Sequence, residues 1–384
     1  MDNEKAEEMA AADDYRHQQQ VRYGSSAEQA LQKLQTLRHA AIAHTLNALP
    51  TADLDMVERA LDDPGDVKTA LDEPLSHSLV KAAVDKIETA AENIGFNLRN
   101  GVSFGALFAE GSEAMQAPVF GTETSLVMLT SNLLLLVHRL SKLLALSVPL
   151  KNKREGFTIE KDFRRIEKKL LKNENLMSQW YSLYYDYSHN PTTPARGDFI
   201  SIPGEREFSV QDDISESMMW FVVGHEYGHH IMKHGSGGIA SAEGEDRDRQ
   251  HGMELEADML ATWLCMEAGN SEPRNNVFAL ANAGAVALLA TLEFIRKGNQ
   301  ILKNGKSLPG STRDSHPGIY QRRRAISFLT ERLSSPRTSY QFISLQNLYY
   351  RIVATTWNVA AKRLAEQHVF GVRPIERTVE WLPR

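Results

Sequence analysis

A mainly α-helical chain with a small β component is what this sequence predicts. Apolar residues recur at three- and four-residue spacing in several long stretches, and only one short segment reads as a strand. No internal repeat is present. The 384 residues suffice for one large domain or two ordinary ones. Hydrophobic residues make up 42% and charged residues 24%, as in ordinary soluble globular chains.

Residues 1–24 are acidic and polar, with no basic or apolar leader region, and are expected to be a disordered tail. From 25 to 150 the spacing predicts a helical N-terminal region. Leu31, Leu34, Leu37 and Ile42 mark one helix there, and Leu79, Val80, Ala83 and Ile87 another. The charged run at 151–156 is a candidate boundary, with a second domain at 151–384. Phe163, Ile166, Leu170 and Leu171 continue at helical spacing inside a mixed-charge segment, the pattern of a helix with one solvated face. Phe199, Ile200 and Ile202, ended by Pro203-Gly204, form the strand candidate.

A helix is then expected to begin near Asp213, where Asp213 and Glu216 resemble a capping box, and to stop at Gly235. Residues 235–250 read as a polar, glycine-rich loop. Helices follow at about 250–269, 274–297, after Pro317, and 341–367. Thr124–Val137 is leucine-rich and uncharged, but its 14 residues fall short of the roughly 20 a membrane span needs. Asn275–Leu292 is uncharged over 18 residues but only weakly hydrophobic. Both are expected to be buried helices, with no membrane span and a cytoplasmic location.

The net charge of -6 argues against general binding to nucleic acid or anionic membrane, which requires a basic surface. The single cysteine, Cys265, excludes an internal disulfide and any Cys-rich metal site, and its Trp263/Leu264 setting reads as packing.

The informative segment is His225-Glu226-Tyr227-Gly228-His229. At about 100° per residue, two histidines four apart sit about 40° from each other on one helix face. They can reach one Zn²⁺, while Glu226 falls beside them, placed to act on water rather than on the metal. A catalytic site of this type needs a third protein ligand and one open position. Glu254 and Asp258 share a helix face downstream, with Glu256 on the opposite side. Glu254 is the expected third ligand, with Glu256 as the alternative. Asp258 is the expected acceptor for the second ring nitrogen of a ligand histidine. Gly228 and Ala257 suggest that the two helices approach closely. His230 and His234, at 140° and 180° from His225 on a continuous helix, are expected to lie off the metal face.

HExxH followed by ExxAD resembles the gluzincin metallopeptidases, especially the group of HtpX and the CAAX prenyl proteases. The resemblance covers roughly 199–330 and includes Ser-His-Pro at 315–317, with Arg322 six residues beyond His316. The group's serine stands two before its histidine, whereas Ser315 here is adjacent. The resemblance implies a zincin-like domain and one Zn²⁺ per chain. It also implies hydrolysis of peptide bonds in a protein or peptide substrate, with Glu226 as general base. By the same resemblance His316 would stabilise the developing oxyanion, and Arg322 would support it or hold the ligand helices. The named members of that group are membrane-embedded, so their substrates do not carry over. The chain is also similar to the soluble phage-exclusion peptidases of the Lit type, which would imply an intracellular target and a role in defence. An inactive scaffold in which zinc only joins helices is the third reading, and the intact Glu226 speaks against it.

Overall fold

In chain order the elements are α1 (Asp2–Tyr23), α2 (Pro74–Asn93), β1 (Val102–Leu107), β2 (Ala114–Pro118), β3 (Ser125–Thr130), α3 (Ser131–Ser147), β4 (Leu150–Asn152), β5 (Phe157–Ile159), α4 (Phe163–Lys172), α5 (Glu174–His189), α6 (Glu205–Ile231), α7 (Glu245–Asn270), α8 (Val277–Leu280), α9 (Ala283–Asn304), α10 (Ile319–Arg332) and α11 (Pro336–Val369). The computed structural model describes residues 2–23, 71–72, 74–152, 157–160, 162–191, 200–202, 204–234, 245–307 and 317–376. The chain is mainly α with a small sheet, as its apolar spacing predicts.

Helix α6 is the axis of the fold. Ile214, Met218, Phe221, Val222, Val223 and Tyr227 are all buried, so its middle is covered on every side, by α2, α3, α7, α8, α9 and β2. One core of packed apolar side chains runs from Val80 on α2 to Leu364 on α11, crossing the candidate boundary at 151–156. β4, which includes the first two residues of that charged run, pairs antiparallel with β5 just beyond it. Cys265 is buried in the same core.

The three-stranded sheet has the order β1-β3-β2, with β1 parallel and β2 antiparallel to the central β3. It lies in the stretch that the sequence reads as helical. Residues 124–137 divide into β3 and the start of α3, with the Thr130 hydroxyl accepting from Leu133 N–H as the N-cap. The physical reason is burial on both faces. Val127 and Leu129 face the main core, while Leu126 and Met128 face a second cluster that includes Ala12 of α1. A strand buried on both sides loses its alternation and merges with the leucine-rich helix that follows it.

The expected disordered tail is instead the helix α1, packed against the outer face of the sheet. Its buried face is polar, which is why hydropathy does not reveal it. Arg16 and Asp72 are both fully buried and pair at 2.9 Å. Arg16 also donates to the Phe104 carbonyl, and the Gln20 amide donates to Asp72 at 2.7 Å and to the Ala106 carbonyl. The Ser103 hydroxyl donates to Asp13.

Other expectations also change. Residues 200–202 form no strand, although Ile200 is buried; Phe199 and Pro203 lie outside the described residues, as do Leu31, Leu34, Leu37 and Ile42. Helix α6 starts at Glu205, with Gly204 as its N-cap, so Asp213 and Glu216 sit inside it and cap nothing. They receive the Asn276 amide instead, on the Asp213 carbonyl and the Glu216 carboxylate. The Ala-rich segment breaks at Asn282, which has φ 51°, and Asn276 caps the short α8.

Asp72→Ala should undock α1. It would leave Arg16 buried without its carboxylate, at a cost of about 3–5 kcal/mol. Hydrogen exchange should then accelerate across residues 2–23 while α6 and α7 keep their protection. Unchanged protection over 2–23 would mean that the ion pair does not hold the helix.

Candidate metal centre

The site begins at the crossing of α6 and α7. A side chain on Gly228 would place its Cβ 2.8 Å from the Ala257 Cα, and one on Gly224 would lie 3.3 Å from the Ala261 Cα. Two small residues on each helix, four apart, therefore bring the backbones into direct contact. His225 and His229 each follow one of these glycines, and Glu254 and Asp258 flank Ala257. The contact thus presents all four side chains to one another.

Three ligand atoms converge there. The Nε2 atoms of His225 and His229 are 3.2 Å apart. The two Glu254 oxygens lie 3.3 Å from His225 Nε2 and 3.4 Å from His229 Nε2. Bonds of 2.0–2.1 Å to a tetrahedral metal give ligand–ligand edges of about 3.3 Å, so these spacings fit one ion. His225, His229 and Glu254 form a group that could hold a metal ion. Their side chains are 10%, 13% and 15% exposed, so the cluster is largely but not wholly shielded from solvent.

Both histidines are held through their other nitrogen. His225 Nδ1 lies 2.9 Å from Asp258, as expected from the shared face of Glu254 and Asp258. Asp258 is fully buried and also receives a two-pronged contact from Arg322 of α10, Nε at 2.7 Å and an η nitrogen at 2.6 Å. Burial opposes its charge, but Arg322 and His225 together hold its carboxyl below the usual range. Burial likewise opposes a charge on His225, yet Asp258 and Glu254 lift it to about 10. A cation, whether a proton or a metal ion, is therefore favoured between these carboxylates.

Glu226 is buried beside the cluster, and desolvation raises its carboxyl above the ordinary value against the pull of His225 and His229. His316 lies outside the described residues. Pro317 precedes α10, whose N-cap is Gly318, so it does not start the helix.

The two remaining histidines behave differently from each other. His230 is fully buried and off the metal face, as expected. Its Nδ1 lies 2.8 Å from the Ser125 hydroxyl and its Nε2 3.0 Å from the Leu98 carbonyl. His234 departs from the expectation. Helix α6 ends at Ile231, and Lys233 takes a left-handed φ of 57°. The His234 N–H reaches the His229 carbonyl and the Lys233 N–H that of His230. This closing turn folds His234 back over His229, with the two Nδ1 atoms 2.9 Å apart. A continuous helix would have put His234 on the far side. The sequence carried no signal for this turn, since the left-handed residue that ends a helix is usually glycine and here it is Lys233, two residues before Gly235.

Gly228→Ala should destabilise the protein, because strain of about 1–3 kcal/mol at Ala257 outweighs the ~1 kcal/mol alanine gains in a helix. Metal affinity should fall with it as the ligand helices separate. Thermal unfolding and metal titration would show both; a more stable variant would mean that the crossing is looser than described.

Burial holds His230 at about 4, below its ordinary 6.5, so the folded state prefers it neutral. Its contribution to stability is full above pH 6.5 and is lost as pH falls through about 4. His230→Gln should therefore lose stability less steeply than the parent between those pH values in urea titrations. Parallel slopes would remove His230 as the source.

No protein-family model, curated protein or solved structure matches this chain, so its chemistry is read from the geometry of the site itself.

Proposed function

We propose that the protein is a zinc-dependent peptidase that hydrolyses peptide bonds of a protein or peptide substrate. The observation that carries this reading is the convergence of His225 Nε2, His229 Nε2 and Glu254 at tetrahedral spacing, with Glu226 buried beside them. Two imidazoles and a carboxylate suit zinc, and three protein ligands leave a fourth position open. When bound, zinc would supply Lewis acidity, polarising a carbonyl and making water a better nucleophile.

The chain's own residues supply the rest. Glu226 takes the proton from the attacking water and delivers it to the leaving nitrogen; its buried, proton-retaining carboxyl suits both steps. Asp258, fixed by Arg322, orients His225 and makes it a better ligand. β2 is an edge strand packed on α6, so an extended peptide could add to it through main-chain hydrogen bonds. The partial exposure of the ligands supports a site with an open position over a closed structural one. No helix among the described residues is long and apolar enough to cross a membrane.

Glu226→Gln should keep the fold and one zinc per chain while peptidase turnover falls by roughly 10²–10⁴-fold. In the same metal analysis, His225→Ala and Glu254→Ala should lose the ion. Unchanged turnover in Glu226→Gln would defeat the mechanism, and full zinc in Glu254→Ala would defeat the ligand set.

A further inference from the structure

The environment of His229 differs from that of His225 and carries a second inference. His225 rests directly on a carboxylate. His229 rests on His234, and His234 in turn points its Nε2 at the Glu256 carboxylate, 3.2 Å away. A Nδ1–Nδ1 contact of 2.9 Å between two imidazoles is a hydrogen bond only if one ring donates and the other accepts, so the pair has a direction. The Glu256 end sets it. An ionised carboxylate only accepts, so His234 must carry its proton on Nε2 to meet Glu256. Neutral His234 then has a bare Nδ1, which can only accept. His229 must supply the proton from its own Nδ1, and its Nε2 is left with a lone pair aimed at His225 Nε2 and Glu254.

We propose that His234 and Glu256 form a relay that holds His229 in its Nδ1–H tautomer and so prepares its Nε2 to bind the metal. Both are positioning residues, since neither lies among the atoms that would touch the ion. The closing turn at Lys233 is the backbone device that makes the relay possible, because it alone brings residue 234 over residue 229. The relay also ties the end of α6 to α7 through Glu256, two residues past Glu254. Glu256 thus contributes through His234 rather than as a ligand.

The two ligand histidines are accordingly oriented by different means. Asp258 is fully buried and locked by Arg322, whereas Glu256 is 59% exposed and reaches His229 only through a second ring. His234 itself is 9% exposed. His229 is therefore the more weakly determined of the two ligands, and the one whose orientation a single substitution outside the ligand set should disturb.

The consequence for metal binding rests on the reading of the cluster as a zinc site, but the direction of the hydrogen bond does not. Two substitutions at 234 separate acceptor chemistry from packing. His234→Asn keeps an acceptor oxygen near the position of Nδ1, whereas His234→Phe keeps a ring and removes the acceptor. In metal-free protein labelled with ¹⁵N-histidine, long-range ¹⁵N–¹H correlation should show His229 as the Nδ1–H tautomer in the parent and in His234→Asn. In His234→Phe that preference should be lost while His225 is unchanged. Chelator competition with zinc should show His234→Phe weakened by about 10–100-fold and His234→Asn close to the parent. A proton on His229 Nε2 in the metal-free parent would overturn the relay, as would His234→Phe binding zinc as tightly as the parent. A parent protein that binds no zinc would instead overturn the metal-site reading, with the tautomer spectrum still deciding the relay.

Discussion

The close crossing of α6 and α7 is the constraint on which the rest of the structure depends. Gly224 and Gly228 meet Ala261 and Ala257 with almost no space for an added carbon. A larger residue at any of the four would push the helix axes apart and carry Glu254 and Asp258 away from the histidines. A glycine in a helix costs about 1 kcal/mol relative to alanine, and α6 carries two within one turn. Packing of the surrounding apolar side chains offsets that cost, since Met218, Phe221 and Val222 are all buried in the main core.

From that crossing the polar contacts spread outward in two directions. One runs from His225 through Asp258 to Arg322 and brings α10 against the ligand helices. The other runs from His229 through His234 to Glu256 and returns to α7. A third buried imidazole, His230, faces away from the cluster and joins the end of α6 to β3 through Ser125. Three consecutive features of one helix end thus serve separate ends: His229 as the candidate ligand, His230 as an anchor to the sheet, and the turn at Lys233 as the means of bringing His234 back.

The sheet and α1 show a different balance of forces. β3 is buried along its whole length, with four apolar residues from Leu126 to Leu129 at its centre, and α1 covers the outer side with arginine, glutamine and aspartate rather than leucine. The fully buried Arg16–Asp72 pair has to be satisfied by hydrogen bonds to count as stable, and Gln20 and the Phe104 carbonyl supply some of them. The interface is specified by matching polar groups, a form of complementarity that leaves little trace in hydropathy.

The sequence by itself determined the mainly helical class, the face shared by His225 and His229, and the pairing of Glu254 with Asp258. All of these are local, following from 3.6 residues per turn and from residue size at Gly228 and Ala257. Tertiary structure alone decided that residues 102–130 form a sheet, that residues 2–23 are a docked helix, and that His234 lies against His229. In each case the deciding partner is distant in sequence or the decision turns on a single backbone angle. β3 needs cover on two faces, Arg16 needs Asp72 56 residues away, and His234 needs the left-handed turn at Lys233. Helical periodicity extrapolates only while the helix continues, and α6 ends at Ile231, three residues before His234.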